Sequence, residues 1–216
     1  MAEKFHAELK TLKTETLEMA HLGRFMLRTA VDALIRQDKE LAASVGARKD
    51  EIQSMEVRLE ERCYQLIALN QPMAKDMRII ACTLKVITAS LRIGRYGKVI
   101  ANIVKKISDQ PHIANLMSIP HMADLVMEMI DDVIEAYEKD TLAVISEFSA
   151  RDDTIDALRQ SIFREAITYM MEDPKSITRC TNYILVARYL ERCADHACKI
   201  AENVHYMHTG ERVEIH

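Results

Sequence analysis

The stretch that decides how the chain is read is residues 187–206, ARYLERCADHACKIAENVHY. It reads as one long helix on which Glu191 and Asp195 stand four residues apart, on the same face. Like charges at that spacing destabilise an isolated helix by a few tenths of a kcal/mol, so the pair calls for a cation. Two sources are open. Arg188, Arg192 or Lys199 can neutralise the acids along the helix surface. Alternatively, a metal ion can bridge them to acids on a neighbouring helix.

The same stretch has a counterpart 100 residues earlier. Arg92-Ile93-Gly94-Arg95-Tyr96 aligns with Arg192-Cys193-Ala194-Asp195-His196, and Ile100-Ala101-Asn102 with Ile200-Ala201-Glu202. Upstream, residues 47–52 (ARKDEI) align with 150–155 (ARDDTI) at an offset of 103. Asn70-Gln71-Pro72 lies opposite Asp173-Pro174, and the change in offset falls near these turns, where length variation is tolerated. The chain is a tandem duplication of a three-helix unit.

Apolar periodicity predicts six helices, over 4–37, 38–69, 72–108, 121–148, 150–171 and a last one ending near 208. The expected fold is all-α, two tandem three-helix bundles packed side by side. The first repeat is assigned to 1–110, a linker to 111–120, and the second repeat to 121–216. Asp38 is placed as an N-cap, Gly46 as a bend, and Pro72 at a first helical position. Gly94 and Gly97 lie inside a helix whose period continues through them, which predicts a close helix approach.

Composition agrees. Five Gly, four Pro and no Trp in 216 residues is a helical composition. There is no uncharged apolar run of about 18 residues to insert in a membrane, and no apolar core near the N-terminus to act as a secretory signal. Five cysteines without a CxxC pair fit buried thiols in a reducing cytoplasm, the expected location. Residues 1–110 carry 19 Lys and Arg against 14 Asp and Glu, whereas residues 111–216 carry 10 against 19. The acidic half would repel a phosphate backbone, which argues against nucleic acid, and would favour a cation or a basic surface. The basic third helix (Lys75, Arg78, Lys85, Arg92, Arg95, Lys98, Lys105, Lys106) is either a solvated face or a docking face. An acidic partner would suit it, as would the acidic half of a second copy in a homodimer.

The duplication isolates a second acid pair, Asp152 and Asp156, on the fifth helix. Asp156 lies 17 residues before Asp173 and Glu191 lies 18 after it, so an antiparallel pair of helices puts both about 26 Å from the turn. The expected metal ligands are therefore Asp152, Asp156, Glu191 and Asp195. Oxygen donors suit iron, manganese, magnesium or calcium, with zinc also admissible. The equivalent first-half positions are Lys49, Gln53, Leu91 and Arg95, so the acids are absent there as a set.

The tandem repeat, the Pro turn in each half, the run E-R-x-x-D-H-A-x-x-I-A-E at 191–202 and Asn70-Gln71-Pro72-x-x-x-Asp76-x-Arg78 resemble the PhoU family. The resemblance covers essentially the whole chain. It implies two similar three-helix bundles and E(D)-x-x-x-D motifs that bind iron or zinc clusters, carried here by Asp152 with Asp156 and Glu191 with Asp195. It further implies a non-enzymatic negative regulator of phosphate uptake and signalling. Its partners would be a phosphate ABC transporter and a sensor histidine kinase, and its membrane contact peripheral. No Gly-rich phosphate loop accompanies this. The rival from another class is a di-iron carboxylate or metal-storage bundle, for which Glu3-x-x-His6, Glu18-x-x-His21 and Glu202-x-x-His205 have the spacing. The methionines, Met122, Met127, Met129, Met170 and Met171 among them, read as core filler.

Overall fold

A computed structural model describes residues 2–141 and 145–215, and it contains helices and turns with no strand among the described residues. The first bundle consists of α1 (Ala2–Arg36), α2 (Lys39–Ala47), α3 (Lys49–Asn70) and α4 (Ala74–Ile107). The second consists of α5 (Ile119–Lys139), α6 (Ile145–Glu172) and α7 (Ile177–Thr209). α2 and α3 together make the single second helix expected from sequence. The break falls at Arg48 (φ −82°, ψ −5°), two residues past the bend assigned to Gly46. Asp38 caps α2 as predicted, its carboxylate accepting from the Glu40 and Leu41 amides at 2.9 Å each.

Four boundaries differ from expectation. α4 starts at Ala74 with Met73 as its N-cap, so Pro72 stands outside the helix, behind a left-handed Gln71 (φ 47°). α5 begins at Ile119 with Pro120 in its first turn, and it stops at a left-handed Asp140 (φ 54°) rather than running on to 148. α6 accordingly starts at Ile145, five residues before the expected 150. The linker is not featureless: it holds a short 3-10 turn at Ala114–Leu116, with Leu116 buried.

Close packing of α1 on α4 is made possible by glycine. A Cβ on Gly97 would lie 2.8 Å from the Leu27 amide nitrogen and the Met26 carbonyl, and one on Gly23 would lie 2.6 Å from the Ser90 carbonyl oxygen. Gly94 similarly meets Ile52 Cδ1 and Met26 Sδ. α4 also packs against α7, and α1 against α5, so the two bundles share one continuous hydrophobic core. Met122 and Met129 are fully buried in it, as expected of core filler, but Met171 is 81% exposed at the end of α6.

The charge imbalance between the halves is partly spent at the α1–α5 contact. Arg24 forks onto Asp131, with Nη2 donating to Oδ2 at 2.6 Å, Arg28 donates to Asp124 at 2.7 Å, and Lys13 to Asp140 at 2.6 Å. α4 and α7 run antiparallel. Arg78, near the start of α4, reaches the Met207 carbonyl at 3.5 Å, and Arg179, near the start of α7, donates to the Pro111 carbonyl at 2.8 Å. The two proline-bearing hairpin tips, α3–α4 and α6–α7, therefore lie at opposite ends of the molecule. The 34 residues of α4 separate them by about 51 Å.

Among the glycines, Gly97→Ala should destabilise by about 1–3 kcal/mol, because the new methyl meets backbone that cannot rotate away. Gly46→Ala has open space around its Cβ and should stabilise by about 0.5–1 kcal/mol. Urea unfolding midpoints of the two variants check both signs.

Candidate metal centre

The four predicted acids sit on facing stretches of α6 and α7 in the register that the turn distances imply. Asp152 is close enough to Asp195 for their charges to repel, and Arg159, one helical turn beyond Asp156, reaches Glu191. They do not form one set of ligands. Glu191, only 8% exposed, is held by Arg188, whose Nη1 lies 2.6 Å from both carboxylate oxygens, and by Arg159 Nε at 3.1 Å. A buried carboxylate needs a compensating charge, and here two guanidiniums supply it. Arg188 is the neutraliser that the helix spacing offered. Arg159 was missed, although positions 152, 156 and 159 form one i, i+4, i+7 stripe and its third member is a cation.

Asp195 has a looser partner, Arg192 Nη1 at 3.7 Å. Among the described residues, Asp152 and Asp156 have no Lys, Arg or His nitrogen within ion-pair distance, 4.0 Å. Burial first, and the neighbouring Asp195 second, push the Asp152 carboxyl above its ordinary range, while a hydrogen bond from the Cys198 thiol opposes the shift. The thiol itself is raised by burial and by Asp152. These groups line a cavity of about 280 Å³ with Arg192, His196, Lys199 and Ile215. Burial lowers the His196 pKa; Arg92 and Arg192 lower it further against the pull of Asp195. At the rim of this region the α4–α7 seam is aromatic: Tyr96 stacks on Tyr189 (5.6 Å between centroids) and on His196 (6.0 Å).

Among the described residues, no group of three or more His, Cys, Asp or Glu side chains is placed to hold a metal ion. With Glu191 committed to arginine, the acids do not fit a ready-made multinuclear centre. The di-iron spacing fares no better. Glu18 and His21 face solvent on α1, and Glu202 is bound to Lys199 at 2.8 Å and to the Ile215 amide at 3.0 Å. At the first-half equivalents of the acids, Leu91 is buried in the core and Lys49 pairs with its neighbour Asp50 at 3.7 Å.

The chain is similar to known proteins along nearly its whole length. A family profile described as PhoU domain matches it twice, over residues 16–104 and 119–204. The phosphate-specific transport system accessory protein PhoU homolog of Caulobacter vibrioides is 34% identical, over 98% of this chain and 92% of its own length. That of Aquifex aeolicus is 36% identical, over 98% and 96%. The crystal structure of PhoU from Pseudomonas aeruginosa superposes with a TM-score of 0.91 at 32% identity, covering 96% of this chain and 100% of that one. The phosphate transport system regulatory protein PhoU from Streptococcus pneumoniae gives 0.88 at 26% identity, covering 97% and 99%.

Because the folded Asp152 pKa lies above the unfolded value of about 3.9, the ionised carboxylate destabilises the fold at neutral pH, and the penalty vanishes as pH falls below about 4. Asp152→Asn keeps an acceptor for Cys198 and removes the charge, so Tm at pH 7 should rise by about 1–3 °C, with no gain at about pH 3. Calorimetry at both pH values, with and without chelator, checks this. A chelator-sensitive fall in Tm would instead mark the acids as a cation site.

Proposed function

The chain belongs to the PhoU family, and from that premise we propose that it is an accessory regulator of phosphate transport that works by protein contact. Its partners in this reading are a phosphate ABC transporter and a sensor histidine kinase, and its effect is to restrain phosphate uptake and the phosphate-responsive signal. The relatives' role as accessory proteins of a phosphate-specific transport system supports the transporter half. The kinase half extends it.

The observation that carries a contact mechanism is where large apolar side chains reach solvent. At the α3–α4 tip, Leu69 is 80% and Met73 79% exposed, with Tyr64 and Met77 beside them. At the α6–α7 tip, Met171 is 81% exposed, with Phe163, Ile167 and Ile177 nearby. Tyr64 and Ile167 are repeat equivalents, as are Met77 and Ile177, so both copies of the unit retain apolar groups at the same exposed places. Clusters of this kind mark binding surfaces rather than fold requirements. Two of them about 51 Å apart suit a partner, or a pair of partners, engaged at both ends of the molecule.

The test is binding of the purified chain to the reconstituted phosphate transporter. Leu69→Ser with Met73→Ser, and separately Met171→Ser with Ile177→Ser, should each weaken binding about tenfold or more, roughly 1.4 kcal/mol, while leaving Tm within a few degrees. In cells lacking the native copy, the same variants should leave a phosphate-starvation reporter switched on under phosphate-replete growth. Unchanged binding and full repression by both would overturn the contact mechanism.

A further inference from the structure

Eight of the 29 Lys and Arg residues lie on α4, against one acid, Asp76 in its first turn. Exposed helices elsewhere in the molecule neutralise themselves: Lys4 pairs with Glu8, Arg28 with Asp32 and Lys199 with Glu202, three or four residues apart. α1 also finds acids across its contact with α5. Among the described residues, no cation of α4 has a carboxylate within ion-pair distance, 4.0 Å. Some of these cations have another reason for their place. Lys105 and Lys106 suit the last turn, where the helix dipole favours positive charge, and Arg78 binds the Met207 carbonyl. Lys85, Arg92, Arg95 and Lys98 stand more than two turns from either end, exposed or half-exposed, and have neither explanation. Arg92 and Arg95 are three apart, a spacing at which like charges repel.

The surface beside this row is aromatic. Tyr96 stacks on Tyr189 and His196 across the α4–α7 seam, and both tyrosines stay partly exposed. On the same face of α7, Leu185 lies one turn before Tyr189 and is 40% exposed, and Arg192 follows three residues after it. Arginine and tyrosine around a small apolar centre are what protein-binding hot spots are made of. The seam also lies between the two hairpin tips. Lys85 to Tyr96 is the middle third of α4, and Met77, at the α3–α4 tip, stands about five turns before Arg95 on the same line of the helix. The row is one helix wide. α3, packed on α4, and α6, packed on α7, carry five and six acids, so a flat anionic surface such as a bilayer meets carboxylates beside the cations. A narrow anionic element does not.

We propose that the middle of the α4–α7 seam, with Lys85, Arg92, Arg95 and Lys98 along it and Tyr96 and Tyr189 at its centre, docks an acidic segment of a partner protein, about 20 Å long. The inference rests on the contact mechanism and adds to it. Apolar groups hold the partner at two ends, and the charged middle sets its orientation.

Binding to the reconstituted transporter tests this, with three charges removed at the seam (Lys85→Gln, Arg92→Gln and Arg95→Gln) or elsewhere (Lys10→Gln, Arg36→Gln and Lys139→Gln). The seam variant should bind about tenfold or more weakly and lose most of the salt dependence, while the other stays within about twofold of the native chain. Taking like charges off an exposed helix face should leave Tm level or higher. Equal losses in the two variants would be an effect of net charge and overturn the proposal, as would native-like binding by the seam variant. A native chain that does not bind the transporter defeats the contact mechanism instead. The same comparison with a labelled Glu-rich helical peptide of about 20 residues then decides the docking surface. Vesicles of phosphatidylglycerol that hold the native chain but not the seam variant, with the peptide ignored by both, would assign the row to a membrane and overturn the proposal. Self-association of the native chain that the seam variant loses, seen by sedimentation, would give the seam to a second copy and overturn it too.

Discussion

Backbone contact between α1 and α4 is the constraint on which the rest of the architecture depends. Where Gly23, Gly94 and Gly97 meet, the helices approach to a distance at which a methyl group would strike a peptide unit. The contact leaves no freedom to slide or rotate, because glycine ridges and facing carbonyls match at one register only. α4 is thereby held with one side against α1 and another free for α7, and α1 keeps a side for α5. The second bundle is then built on two rigid neighbours instead of one. In α7 the positions of Gly94 and Gly97 are occupied by Ala194 and Ala197, both fully buried, so the second copy tolerates the methyl groups that the first cannot.

Electrostatics acts on this frame as a guide to pairing more than as a source of stability. The cations of α1 and the acids of α5 meet in three cross-bundle pairs, each partly exposed, and such pairs contribute about 0–1 kcal/mol apiece. Their value lies in orientation: α5 carries six Asp and Glu against one Lys, and three cations of α1 meet its acidic side. Deeper in, the balance changes. Glu191 is nearly out of water and binds two arginines, and removing either would leave a charge the interior cannot solvate. Asp152 stands a short way along the same groove with a thiol for a partner and another acid nearby. The two ends of one acidic stripe thus follow opposite strategies, and only one of them is electrostatically at rest.

Much of this was legible in the residues. Helical period, the duplicated stretches and the Asp38 and Asp173-Pro174 signals gave the helices, their number and their pairing, because each is a local property of the chain. The break between α5 and α6 was misplaced because nothing around it signals a turn: Asp140 adopts a left-handed conformation that glycine normally takes, and no proline follows. The facing register of the two acid pairs was right, since equal distances from a hairpin turn fix it. Their ionic state was not readable. Whether Glu191 binds metal or arginine depends on Arg159, which lies 32 positions away and belongs to another helix.

The stack of Tyr96 on His196 joins residues that occupy the same place in the two copies of the repeat. A residue that touches its own counterpart lies on a two-fold axis, which is how identical subunits meet in a symmetric dimer. The chain is, in this sense, a dimer whose subunits have been sewn together. Fusion sets the ratio of the halves at one to one and removes any dependence of their pairing on concentration. It also lifts the requirement that both faces stay identical, so a tyrosine on one side can answer a histidine on the other. Divergence of that kind is closed to a true homodimer, in which every substitution is made twice.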